Sequence, residues 1–148
     1  MSSILQLMEG IPFFDNFNIQ EKMYFIQNGH FFELYKDGEV IIQEGDIQDS
    51  SLYVILRGAA FVRKDNLPEN TLAYLEEGSI LGEAAFLVGD RPRMASVIAQ
   101  GTVNVFRMNR SVMEQFDCAL QLKITKQLVL IVVERLERMN EALTELMS

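Results

Sequence analysis

Several things are scarce in this sequence, and each scarcity closes off a class of function. Among 148 residues there is one cysteine, Cys118. One thiol cannot close an intramolecular disulfide and supplies too few ligands for a zinc site. Beside Phe116 and Ala119 it is expected to be buried and inert, in a reducing, cytoplasmic compartment. One histidine, His30, has no nucleophile or ligand cluster near it in sequence and is read as structural. No Walker loop and no nucleophile–histidine arrangement is present, so the chain is not read as an enzyme. The most apolar run, LVLIVV at 128–133, is short and flanked by Lys126, Glu134 and Arg135, so no membrane span is expected. The opening MSSILQLMEG lacks the basic start and apolar core of a signal peptide. Basic charge is also scarce: 13 Lys and Arg face 21 Asp and Glu, for a net charge of −8. Phosphate-backbone binding needs a basic face, so DNA binding by this chain is not expected. A small anion is not excluded, because it needs only one or two cations in a pocket.

What is present is apolar residue, at 49% of the chain, enough for a sizeable core in one domain over 1–148. Residues 1–31 read as N-terminal helices: Asn18 caps the second, Glu21 completes a capping box, and Gly29 is a candidate stop. Residues 32–108 read as short strands: FFELY, EVIIQEG, SLYVIL, AAFVRK, TLAYLE, MASVIA and TVNVFRM. Turn signals separate them at Asp37-Gly38, Gly45-Asp46, Arg57-Gly58, Leu67-Pro68, Gly78 and Gly101. The expected fold is α+β, an antiparallel β-roll of about eight strands (a double-stranded β-helix, jelly-roll-like).

Residues 111–147 read as C-terminal helices, a short one capped by Ser111 and a long one from about Ala119 to Met147. Leu122, Val129, Leu136 and Leu143 recur at heptad spacing, and Thr125, Val132, Met139 and Leu146 recur at the complementary offset. Ile124, Leu128 and Ile131 form a second stripe. One small roll can cover only one face of so long a helix. The second stripe is therefore assigned to the roll and the heptad seam to a homodimer; the bland alternative puts both stripes in one intramolecular core.

One segment breaks the strand pattern: GSILGEAAFLVGDRPR at 78–93. Glu83–Leu87 can make a single helical turn whose first amides stay open to an anion. Gly82 permits close approach of the backbone. Arg93 is a permanent cation with a planar fork suited to phosphate oxygens. Glu83, an acceptor, makes sense beside an anion only if the ligand also offers hydroxyl donors. A cyclic nucleotide carries a phosphate and a ribose 2′-OH on one rigid body. The bland alternative is a surface ion pair between Arg93 and Glu83.

These residues resemble the cyclic-nucleotide-binding domain family of bacterial cAMP receptor proteins, protein kinase A regulatory subunits and cyclic-nucleotide-gated channels. Its phosphate cassette, F-G-E-x-A-L followed by P-R-x-A-[ST]-V, is matched by Leu81-Gly82-Glu83-Ala84-Ala85-Phe86 and Pro92-Arg93-Met94-Ala95-Ser96-Val97. Leu81 and Phe86 are apolar exchanges. The upstream patterns G-E-x-I-x-x-E-G-D and Y-x-I-x-x-G are matched at 38–46 and 53–58, with Asp37 in place of a common proline. The resemblance covers about 11–147. It implies that Glu83 accepts from the ribose 2′-OH and that Arg93 pairs with the phosphate. Amides near Gly82, Ala84, Ala85 and Met94 would complete the cradle. Ser96 matches a position that meets the phosphate or the purine edge, where a hydroxyl favours cGMP in some members. Arg135, Met139 and Asn140 fall where a C-terminal helix covers the base, although Arg135 also suits an exposed coiled-coil flank.

The reading that results is a cAMP or cGMP sensor without metal, signalling through its last helix to a dimer partner or another protein. Two alternatives stay open: a dimeric interaction module of the same fold that no longer binds nucleotide, and a cupin-type roll, which a single histidine disfavours. The Met1 start and the EALTELMS end suggest a complete small protein, with a fragment of a larger chain as the other possibility.

Overall fold

A computed structural model describes residues 2–28 and 30–148. Gly29, the expected stop of the second helix, lies outside the described residues. Helix α1 (Ser2–Met8) leads through a 3-10 turn at Pro12–Phe14 to α2 (Ile19–Gln27). Six strands follow: β1 (Phe32–Tyr35), β2 (Val40–Ile42), β3 (Leu52–Lys64), β4 (Leu67–Leu75), β5 (Ile80–Leu81) and β6 (Ser96–Met108). Helix α3 (Glu83–Val88) interrupts them between β5 and β6. The chain ends in α4 (Arg110–Met113) and α5 (Cys118–Met147). All pairings are antiparallel, in the order β1-β6-β3-β4, with β2 also on β6 and β5 also on β3.

The expected roll is present, with six strands among the described residues where about eight were expected. SLYVIL and AAFVRK are one strand, β3, and MASVIA and TVNVFRM share β6. Arg57-Gly58 and Gly101 are therefore not turns. The β3–β6 register shifts between Ile55 and Arg57 and again between Arg57 and Ala59, so both strands bend without leaving the ladder. A Cβ on Gly58, at φ +100°, would lie 2.4 Å from the Thr102 carbonyl oxygen. Glycine marks a bulge here as readily as a turn. The next reversal falls on Asp65-Asn66, and Pro68 lies inside β4, an edge strand where a missing amide donor is tolerated.

The period of two along β6 divides the core. Val103 and Val105 face the roll interior with Ile42, Tyr53, Ile55, Leu81 and Val97. Phe106 faces the other way, into an aromatic cluster that seats the helices. Its ring meets Phe14 edge-on at 5.2 Å, Phe25 at 5.3 Å and Phe31 in a stack at 5.6 Å.

The capping box of α2 is as expected: Glu21 N donates to Asn18 Oδ1 at 2.8 Å, and Asn18 N donates to Glu21 Oε1 at 2.9 Å. The cap of α4 is Asn109, not Ser111, because the Asn109 side chain accepts from Val112 N at 2.8 Å while Ser111 already lies within the helix. Helix α5 starts one residue early, capped by Asp117. This corrects the expectation for Cys118. It opens α5 at the surface and is exposed, and the adjoining Phe116 takes the buried place.

Ile124 and Leu128 of α5 are fully buried against the aromatic cluster, and Gln127 donates to the Pro12 carbonyl at 2.7 Å. The heptad face is left uncovered: Leu122, Val129, Leu136 and Leu143 are 49–55% exposed. Among the described residues, no helix is long and apolar enough to cross a membrane.

Candidate functional site

Between the β3–β4–β5 side of the roll, α3 and α5 lies a cavity of about 580 Å³. Ile42, Val62, Leu75, Ile80 and Val97 supply apolar walls; Gly82, Glu83, Arg91, Arg93 and Arg135 supply the polar groups. A volume of this size is ordinary for a small-molecule site.

Local sequence builds the polar end. Gly82 sits at φ +76°, in the left-handed region, and opens α3 directly behind β5. Phe86 N is the first bonded amide, to the Gly82 carbonyl at 3.1 Å, so the amides before it have no partner within the helix. Gly89 closes α3, and Asp90 at φ +46° turns the chain back toward Arg93. The Arg93 backbone is then clamped on both sides: its N–H donates to Asp46 O at 3.0 Å, and its carbonyl accepts from Gly45 N at 2.8 Å. The Gly45-Asp46 turn thus fixes where Arg93 stands.

Arg93 is 5% exposed. Its Nη2 donates to the Ser51 carbonyl at 2.8 Å and lies 3.5 Å from Asp49 Oδ2; its Nη1 donates to the Gly82 carbonyl at 3.3 Å. Its Nε is buried and has no acceptor among the described residues. A Cβ on Gly82 would fall 2.3 Å from Arg93 Nη1, so the glycine is what lets the guanidinium reach this position. A buried cation with an open donor, held against a glycine backbone, fits an anion.

Glu83 does not pair with Arg93. Its Oε1 accepts from Arg135 Nη1 of α5 at 2.5 Å, and Arg135 Nη2 lies 3.5 Å from the Ile80 carbonyl. Leu81, Gly82, Glu83, Ala84, Ala85, Arg93, Met94 and Arg135 are thus brought to one cavity, with Met94 on its exposed rim. Ser96 and Asn140 are not in its lining. Ser96 is buried, and its Oγ accepts from Glu44 N at 2.9 Å. Asn140 and Met139 are exposed on α5.

Sequence reasoning did not single out Asp49, Tyr53 or Arg107. Asp49 Oδ2 accepts from Tyr53 Oη at 2.6 Å; its Oδ1 accepts from Ser51 N at 3.0 Å and from Arg107 Nη2 at 3.1 Å. Burial works to raise the Asp49 carboxyl, but the hydrogen bonds from Ser51 and Tyr53 and the Arg107 charge outweigh it and hold it well below the usual carboxylate range. Burial and the Asp49 carboxylate push the Tyr53 phenol well above its ordinary value. The one clue in the sequence was an acidic residue just before a buried strand, which fits any Asx turn equally well.

The Cyclic nucleotide-binding domain family model matches residues 32–117, more than half of the chain. The chain belongs to the cyclic nucleotide-binding domain family. A cAMP-dependent protein kinase regulatory subunit of Mucor circinelloides f. lusitanicus is 40% identical over 68 residues, 45% of this chain and 16% of that protein. The Catabolite Activator Protein of Thermus thermophilus superposes with a TM-score of 0.72 at 25% identity, covering 91% of this chain and 62% of that one. The structure of Sp-2Cl-cAMPS bound to PKAR CBD2 gives a TM-score of 0.67 at 22% identity, over 98% and 90%. The matched stretch is thus less than a fifth of the Mucor relative's length.

Proposed function

We propose that this chain is one cyclic nucleotide-binding regulatory unit, not a catalyst, and that it takes cAMP in the cavity between roll and α5. The observation that carries the reading is Arg93, a buried guanidinium with an unpaired Nε at the polar end of an otherwise apolar cavity. In this reading Arg93 meets the cyclic phosphate, with backbone amides near Gly82, Ala84, Ala85 and Met94 closing around it. Glu83 accepts from the ribose 2′-OH, and Leu81 with its apolar neighbours faces the sugar and base. Ser96 supports the cassette from behind through Glu44. A relative named for cAMP at 40% identity over 68 residues supports cAMP, and one named for cGMP at 37% over 75 residues keeps cGMP beside it as a ligand.

The output follows from Arg135. Because Glu83 binds Arg135 of α5, a ribose arriving at Glu83 changes what holds the helix. Ligand shifts α5 only through unequal affinity for its positions. A shift that brings Met139 and Asn140 over the base is the form it takes in this proposal. The uncovered heptad face of α5 supports a homodimer that passes the shift on, alone or to a further protein. The exposed free thiol of Cys118 suits a reducing, cytoplasmic compartment.

One observation favours the second reading, an interaction module without ligand. Arg93 and Glu83 both have internal partners already. Titration calorimetry with cAMP and cGMP separates the two. The sensor reading expects saturable binding of cAMP that Arg93→Ala abolishes; no heat from either nucleotide would leave the module.

A further inference from the structure

The cation at the cavity's polar end is one corner of a larger charged cluster whose other members do not line the cavity. Arg107 of β6 stands on the same strand face as the buried Val103 and Val105, directly opposite Tyr53 of β3. Its Nη2 donates to Asp49 Oδ1 at 3.1 Å, its Nε to Ser51 Oγ at 3.2 Å and its Nη1 to Glu33 Oε2 of β1 at 2.9 Å. Tyr35 Oη donates to the other Glu33 oxygen at 2.7 Å. Arg93 and Arg107 both approach the Tyr53 ring, at 5.9 and 5.5 Å from its centroid. Asp49 therefore stands between two guanidinium groups, Arg93 at 3.5 Å and Arg107 at 3.1 Å.

These distances are unequal in an informative way. The Asp49 carboxylate makes its short contacts to Tyr53, the Ser51 amide and Arg107 and only a long one to Arg93. The four charges cancel: Arg93 and Arg107 against Asp49 and Glu33. We propose that Arg107 and Glu33 are positioning residues for phosphate binding, acting through Asp49. Arg107 occupies Asp49, so Asp49 holds Arg93 in place without neutralising it, and the guanidinium stays available to an anion. Glu33 in turn draws Arg107 away from Asp49 and limits that effect.

The proposal rests on the cyclic nucleotide reading and adds a sign to each residue. Without Arg107, Asp49 loses its closest cation and turns to Arg93. The cluster then carries a net negative charge before the phosphate arrives. Without the Glu33 charge, Arg107 belongs to Asp49 alone, and the cluster carries a net positive charge. The two neutralising substitutions must therefore move phosphate affinity in opposite directions. A merely structural cluster would respond in one direction, because either substitution breaks contacts.

The test is titration calorimetry of cAMP against the full chain, at one pH and salt, for wild type, Arg107→Gln, Arg107→Lys and Glu33→Gln, with melting temperatures alongside. Arg107→Gln is expected to weaken binding about three- to tenfold, Arg107→Lys to recover most of that loss, and Glu33→Gln to tighten binding about twofold. If Glu33→Gln weakens binding as Arg107→Gln does, with both melting lower, the cluster is structural and the proposal falls. Equal affinities across all four proteins also overturn it, while leaving the sensor reading intact. A wild type that binds no cyclic nucleotide overturns the sensor reading itself. Should Arg107→Gln not fold, the sign of Glu33→Gln and the behaviour of Arg107→Lys still decide.

Discussion

Arg135 of α5 donates to Glu83 of α3 at 2.5 Å, across the mouth of the cavity. The Arg135 side chain is 41% exposed, and a pair this open contributes about 1 kcal/mol or less. That is too little to bar a ligand and enough to bias a helix. Beyond Val133, Arg135 is the residue of α5 that is half-buried, and those after it are exposed. Arg135→Gln is therefore expected to speed amide exchange in residues 136–147 while the roll keeps its protection. Exchange unchanged by the substitution would mean that something other than this pair restrains the end of α5.

Gly82→Ala should be far more damaging than its size suggests. The new methyl would lie 2.3 Å from Arg93 Nη1 and 2.9 Å from the Ser51 carbonyl, on backbone at φ +76°. Left-handed backbone at a non-glycine residue costs about 1–2 kcal/mol by itself. Arg93 must also move, so cAMP affinity should fall at least about tenfold along with the melting temperature. Calorimetry and thermal unfolding read the two effects separately; normal affinity in the variant would refute the cradle.

Ser96→Ala tests a different division of labour. The Ser96 hydroxyl faces Glu44 N, not the cavity. Its loss should cost about 1 kcal/mol of stability, the cost of one half-buried amide left without its acceptor. The ratio of cAMP to cGMP affinity should not change. A shift in that ratio would show that the hydroxyl reaches the base after all.

The cluster around Asp49 sets limits at both ends of the pH scale. A carboxyl held low in the fold contributes stability that is whole above its unfolded value of about 4 and is lost as pH falls below it. Phenols pushed up, as Tyr35 and Tyr53 are, contribute stability that is whole below about 10 and drains as pH rises beyond it. Denaturant midpoints are thus expected to fall at both extremes. Asp49→Asn should flatten the acid limb and Tyr53→Phe the alkaline one. Limbs that stay as steep in these variants would assign the titration elsewhere.

Leu136→Glu with Leu143→Glu should give a monomer by light scattering, because both positions sit in the uncovered heptad face and neither belongs to the core under the helices. A dimer that survives the double substitution would rule out this seam.

Much of the site could be read from sequence because Gly82, Glu83 and Arg93 lie within one short segment. Glycine, carboxylate and guanidinium there state their chemistry by residue type. The rest is assembled from places far apart. Glu33, Asp49 and Arg107 come from β1, a loop and β6, and only the ladder makes them neighbours. The helix caps divide similarly. Asn18 and Glu21 carry a paired signature three residues apart, whereas Asn109 and Ser111 are both good caps and only the backbone decides between them. Glycines were legible as special and ambiguous in kind: Gly38 closes a turn, while Gly58 bends a strand.

Strands β3 and β6 pair with each other on both sides of their bend, and the chain leaves and re-enters that one ladder between Asp65 and Ala95. The excursion carries Leu75, Ile80, Leu81, Gly82, Glu83, Ala84, Ala85, Arg91, Arg93 and Met94, most of what surrounds the cavity. Its two ends are joined whatever its length, and doubling such a loop costs only about 0.6 kcal/mol. Residues inserted between Val88 and Pro92 would therefore reshape the rim without touching the ladder. Within the excursion, Ile80, Leu81 and Phe86 are tied to the core, so the room to vary what is bound lies at the exposed rim.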